Sequence, residues 1–122
     1  MSTNHSIPLS QAVEMTSRFR SNRNSILDGA YRNQDVLPVC ETFTKTAIEG
    51  LLEQEGCEGF RIYYGMDENL KIHAILVGVN GNNADILPLQ NSLTEEDPEG
   101  TILEDGQRCP PYCPSASPLN TD

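Results

Sequence analysis

Apolar positions recur along this chain with two different periods, and the change of period marks the main division of its fold. Over Ile7 to Arg23, the residues Leu9, Val13, Thr16 and Phe19 fall at near-helical spacing, which puts them on one side of an amphipathic helix. Ser10 is the expected N-cap, and Arg20 and Arg23 occupy the last turn, where cations complement the helix dipole. A second signal runs through Phe43-Thr44-Lys45-Thr46-Ala47-Ile48-Glu49-Gly50-Leu51-Leu52. Thr44 is its expected N-cap, Phe43 folds back on Ile48 as a hydrophobic staple, Ala47, Ile48, Leu51 and Leu52 form the buried stripe, and Gly56 supplies the stop. Residues 22–35 read as a polar loop, and Pro38 favours an extended run from Asp35 to Cys40.

Beyond Gly59 the period becomes two. Phe60, Ile62 and Tyr64 alternate with Arg61 and Tyr63, Met66-Asp67-Glu68-Asn69 turns the chain, and Leu70 to Val79 returns as a second strand. With 65–69 as the loop, Ile62 faces Ile72, Phe60 faces Ala74, and Arg61 faces His73 on the opposite side. Asn80-Gly81 matches a type I′ hairpin turn, which sets Val77 against Ala84 and Ile75 against Ile86 in a third strand ending near Pro88. Thr101 to Leu103 offers a further short strand. The pattern predicts an α+β domain over residues 1–89, with two helices packed on one face of a small antiparallel sheet of three to four strands. Residues 90–122 then read as an acidic linker and an irregular, Pro/Cys-containing tail docked on that domain.

Composition narrows the function classes. The 122 residues fit one domain, and the formal net charge of −10 argues against a nucleic-acid or anionic-membrane binder, since both call for a positive surface. The longest apolar run, Ala74 to Val79, is far short of the ~20 residues that span a bilayer. The first residues carry no basic and apolar leader pattern, so the expected location is cytoplasmic, where free thiols are the default for Cys40, Cys57, Cys109 and Cys113. The acidic excess is densest after residue 90, whereas Arg18, Arg20, Arg23 and Arg32 gather near the front. An acidic tail lying against an arginine-bearing first helix is the expectation that follows.

Two groups of residues carry candidate chemistry. In Cys109-Pro-Pro-Tyr-Cys113-Pro114, two thiols four residues apart on a proline-restricted backbone suit a soft metal such as zinc, a small disulfide ring, or simple docking with the cysteines as small hydrophobes. Only Cys40 and Cys57 remain to complete a zinc set, at spacings that match no common module. Arg61, Tyr63, Lys71 and His73 share the second face of the central hairpin and form a candidate binding group for an anion or carboxylate. Ile75, Val77 and Val79 continue that face, which favours cover by the tail, by another helix or by a second subunit. A Cys40–His73 nucleophile pair is a further arrangement to check. The acidic runs lack calcium-loop spacing, and there is no Gly-x-Gly-x-x-Gly, Walker, His-Glu-x-x-His or Gly-x-Ser-x-Gly signature.

The helix Phe-Thr-x-x-Ala-Ile-x-x-Leu-Leu, the strands Gly-Phe-Arg-Ile-Tyr and Ile-Leu-Val-Gly-Val-Asn, and the ending Cys-Pro-Pro-Tyr-Cys-Pro together resemble a group of small uncharacterised bacterial proteins. The resemblance covers roughly residues 43 to 119. It implies a bacterial, cytosolic protein of domain-plus-tail design and brings no catalytic residue with it. The expected role is a non-enzymatic protein-interaction module, with homodimerisation through the Ile75-Val77-Val79 face. The competing role is a thiol or metal-binding protein using Cys109 and Cys113.

Overall fold

The computed structural model describes residues 4–88 and 101–122. Helices α1 (Leu9–Asn22) and α2 (Lys45–Leu52) accompany strands β1 (Cys40–Thr42), β2 (Cys57–Met66), β3 (Ile72–Asn80), β4 (Ile102–Leu103) and β5 (Gln107–Cys109), with a 3₁₀ turn at Gly29–Tyr31. The strands form a three-stranded antiparallel sheet in the order β2-β3-β4 and a separate antiparallel pair, β1-β5. The α+β class read from the sequence is the observed one. No helix among the described residues is long and apolar enough to cross a membrane.

α2 forms where its sequence indicates. Thr44 Oγ1 accepts the Ala47 N–H at 3.2 Å; the helix ends at Leu52 with Glu53 as its C-cap, before the expected stop at Gly56, whose φ of +77° belongs to the turn leading into β2. The helix packs across β2, β3 and β4, with Leu51 fully buried beneath it. Leu52, expected in the buried stripe, is exposed instead. The Phe43 ring lies over Gly106, where an added Cβ would come within 2.9 Å of it.

α1 departs from expectation. It begins after Pro8, whose carbonyl accepts the N–H groups of Gln11 and Ala12, so Ser10 lies inside the helix and caps nothing. None of its residues is fully buried. Rather than joining α2 on the sheet, it packs against the C-terminal segment: Arg20 pairs with Asp122 and donates to the Leu119 carbonyl at 2.6 Å, and Ser17 Oγ donates to Asp122 at 3.2 Å. The expected meeting of an acidic tail and an arginine-bearing helix takes this form.

The two hairpin loops share one construction. Asp67 N–H donates to the Lys71 carbonyl, the Leu70 N–H donates back to Asp67, and Asp67 Oδ1 accepts the N–H groups of Asn69 and Lys71 at 2.8 and 3.0 Å. Asn80 repeats each bond with Ala84, Asn83 and Asn82. Both are three-residue loops whose last residue, Leu70 or Asn83, adopts positive φ. These loops correct the two expected registers. The shorter first loop pairs Ile62 with Leu76, Phe60 with Gly78 and Arg61 with Val77. The longer second loop pairs Val79 with Asp85, an odd shift that moves Ile86 to the Gly78 face, and the expected third strand is reduced to an isolated bridge.

β4 takes the remaining edge of β3, pairing Leu103 with Leu76, and β5 pairs with β1 far upstream. Residues 101–109 thus supply one strand to each sheet. The expected boundary at 89/90 and the acidic run at 94–100 lie outside the described residues. The two sheets meet at Arg108, which is 7% exposed. Its Nε donates to the Ile72 carbonyl at 3.1 Å, and its Nη2 donates to the carbonyls of Asp35 and Val36 at 2.9 and 3.1 Å.

Two outcomes follow for stability. Leu70→Asn, which places at the first loop the residue type used at Asn83, should raise the urea midpoint with an unchanged m-value, by about 0.5–1 kcal/mol. Arg108→Leu should destabilise by about 2–4 kcal/mol because three carbonyls lose the guanidinium, and only that of Val36 keeps a second donor, the Ile72 N–H, with Arg108→Lys recovering less than half of the loss.

Candidate functional site

The hairpin puts Arg61, Tyr63, Ile75, Val77 and Val79 on one face, as the alternation requires, but it separates the expected binding group. Arg61 sits opposite Val77, Tyr63 opposite Ile75, and His73 opposite Gly65. His73 is therefore four residues along β3 from the strand position facing Arg61, a distance of about 13 Å. The Arg61 side chain crosses β3 to reach the segment bridged to Val79. It forms an ion pair with Asp85, and its Nη2 donates to Asn83 Oδ1 at 2.7 Å. Tyr63 Oη donates to Asp85 Oδ2 at 2.6 Å. The Tyr63 hydrogen bond and the Arg61 guanidinium hold the Asp85 carboxyl below its ordinary range, and the Asp85 hydrogen bond holds Arg61 above its own.

This lattice corrects two expectations. Arg61 and Tyr63 already have an internal carboxylate, so an external one would have to displace Asp85. The face they cover is not open, since Val77 and Val79 are only 2% and 4% exposed.

His73 belongs to a different group. Its Nε2 lies 2.6 Å from Asp67 Oδ2, and its Nδ1 lies 3.4 Å from Glu104 Oε1 without forming a hydrogen bond. Asp67 is shared between this imidazole and the hairpin loop. The Lys71 backbone N–H, then the His73 contact, lower its carboxyl from the ordinary value. The imidazole opens on a cleft of about 290 Å³ whose walls include Lys71, Asp105, Arg108, Pro110 and Tyr112. Lys71 Nζ donates to the Gln34 carbonyl at 2.8 Å. Among the described residues lining the cleft there is no Ser, Thr or Cys for a histidine–carboxylate pair to activate.

Cys109 and Cys113 form a disulfide that closes a ring around Pro110, Pro111 and Tyr112, with their Cα atoms 4.5 Å apart. This corrects the free-thiol expectation for the pair, and it bears on the metal reading: bonded to each other, neither sulfur is the thiolate that zinc requires. Among the described residues no group of three or more His, Cys, Asp or Glu is placed to hold a metal ion. Cys109 is buried and Cys113 exposed. Cys40 and Cys57 are free and half-buried; Cys57 Sγ donates to the Gly59 carbonyl. Cys40 is the cross-strand partner of Cys109 in the β1-β5 pair, whereas the nearest side-chain partners of His73 are Asp67 and Glu104, so the Cys40–His73 pair is not formed.

Asp67, Asp85, Glu104 and Arg108 carry these arrangements without standing out in sequence. Two signals were present. Asp67 and Asn80 each precede an Asn two positions on, the side-chain pattern of a capped turn. Arg108 is the lone cation among the last 33 residues, and a single cation there is a candidate for a structural partner. No protein-family model, curated protein or solved structure matches the chain.

The lowered carboxyls fix a pH dependence. Asp67, Asp85 and Asp122 bind protons less readily folded than unfolded, so their stabilisation is complete above about pH 5 and is lost as pH falls through and below the ordinary value near 3.9. Urea midpoints measured from pH 7 down to about pH 3 should drop in that window, and Asp85→Asn should both lower the pH 7 midpoint and flatten the acid slope.

Proposed function

We propose that the chain is a non-enzymatic interaction module that pairs with a second copy of itself through the free edge and outer face of β2. The observation that carries this is a row of large apolar side chains on that face. Phe60, Ile62, Tyr64 and Met66 are 45%, 47%, 76% and 56% exposed. Among the described residues β2 pairs only with β3, which leaves a ten-residue strand open along its other side. The strand carries no Pro or Lys, its one cation is folded over the opposite face onto Asp85, and Glu58 and a register irregularity are confined to its first three residues, so from Phe60 to Met66 the usual guards against edge pairing are missing.

A second copy suits this surface better than an unrelated strand. Antiparallel pairing of β2 with itself is two-fold symmetric, and it sets two identical apolar rows side by side on one continuous sheet. The surface is the reverse of the one expected from the sequence, because the Arg61-Asp85-Tyr63 lattice covers the other. A second reading, thiol chemistry at the C-terminal pair, is favoured by the closed Cys109–Cys113 ring with a free cysteine facing it.

Sedimentation velocity from about 100 μM to about 1 μM should show a concentration-dependent dimer. Ile62→Asp should be monomeric throughout, and Tyr63→Phe, on the opposite face, should dimerise as the parent does. A parent chain that is monomeric at every concentration overturns the proposal.

A further inference from the structure

The geometry points to a three-cysteine exchange centre in which Cys40 attacks the Cys109–Cys113 disulfide from across the β1-β5 pair. This deepens the thiol reading of the C-terminal pair and rests on it. The placement follows from register. Cys40 and Cys109 are direct partners in an antiparallel pair, Glu41 and Thr42 continue that pairing with Arg108 and Gln107, and the Val39 N–H donates to the Cys109 carbonyl at 2.9 Å. Directly opposed residues in such a pair have Cα atoms about 4.5–5.5 Å apart and side chains on the same face, within the span a disulfide bridges. A free thiol and one half of a disulfide therefore stand side by side.

The exchange balances without an external oxidant or reductant. The Cys40 thiol loses its proton to solvent, and the thiolate attacks Cys109 Sγ. The Cys40–Cys109 bond forms as the Cys109–Cys113 bond breaks, and the electron pair leaves on Cys113, which takes up a proton from solvent. One disulfide is present before and after. The difference is position: the remaining bond cross-links two strands, the ring around Pro110, Pro111 and Tyr112 opens, and a thiol appears at the exposed Cys113. The leaving sulfur is thus the accessible one. The substrate class that such a thiol takes is an external disulfide or other soft electrophile at the surface, while Cys40 and the buried Cys109 keep the internal bond.

Peptide mapping tests this directly, because trypsin releases Cys40 in residues 33–45, Cys57 in 46–61, and Cys109 with Cys113 in 109–122. Purified oxidised chain is raised from acid to about pH 8.5, where cysteine thiolate is abundant, then alkylated with N-ethylmaleimide and digested without reduction. The expected product is a cross-link between peptides 33–45 and 109–122 with the label on Cys113, in on the order of a tenth of the chains or more, since exchange between similar disulfides is near balance. Cys40→Ser should abolish it. Cys113→Ser, oxidised with glutathione disulfide, should form the Cys40–Cys109 bond almost completely. The exchange is overturned if the parent keeps the 109–113 ring with Cys40 labelled in every chain, and Cys113→Ser oxidises only to mixed disulfides with glutathione, to Cys57 pairs or to intermolecular dimers. Four labelled thiols in the parent as purified would instead remove the thiol reading itself, and the exchange with it.

Discussion

The fold turns on a buried guanidinium. Arg108 lies where two small sheets meet, and neither is large enough to enclose a core alone. Its Nε and Nη2 satisfy three backbone carbonyls, one at the start of β3 and two in the segment before β1. The Val36 carbonyl also accepts the Ile72 N–H at 2.8 Å, but for the carbonyls of Asp35 and Ile72 the arginine is the donor, and a carbonyl left without one away from water is expensive. Planar geometry matters as much as charge, because one rigid group must address acceptors on two chain segments at once. Among the described residues no carboxylate pairs with it, so its role is to organise backbone rather than to form an ion pair.

How much was legible follows from how local each determinant is. α2 could be read almost residue by residue, because its cap and its buried Leu51 depend on neighbours in sequence. The β2-β3 hairpin was visible as alternation, but its register was set by loop chemistry. Asp67 and Asn80 each bond two backbone N–H groups and so close the chain in three residues. An even error in the first loop preserved the faces while moving Arg61 away from His73. The odd error in the second reversed the face of Ile86. The apolar spacing of α1 identifies a helix but not its neighbour, since amphipathicity tells which side is apolar but not what covers it.

The candidate sites were harder to read because their partners are distant. Asp85 neutralises an arginine 24 residues away, and Arg108 reaches a carbonyl 73 residues away. Alternation placed Arg61 and Tyr63 together correctly, yet it gave no sign that Arg61 would reach across β3 to a carboxylate. The cysteine motif was conspicuous, and its chemistry depends on Cys40, which only the β1-β5 pairing brings to it.

The twin loops also divide the chain by folding range. From Cys57 to Ile86 nearly every strand contact is made by near neighbours in sequence, so this unit closes small loops and has low contact order. The β1-β5 pair and the Arg108 contacts close much longer loops, up to 73 residues between Asp35 and Arg108, and the apolar residues buried there are Val36 and Cys109, against Leu76, Val77 and Val79 in the hairpin. Local opening will therefore be concentrated there, and hydrogen exchange at Val39 should report a lower opening free energy than at the centre of β3. Cys40, Cys109 and Cys113 sit in the long-range part, where opening is expected first, whereas Cys57 belongs to the hairpin.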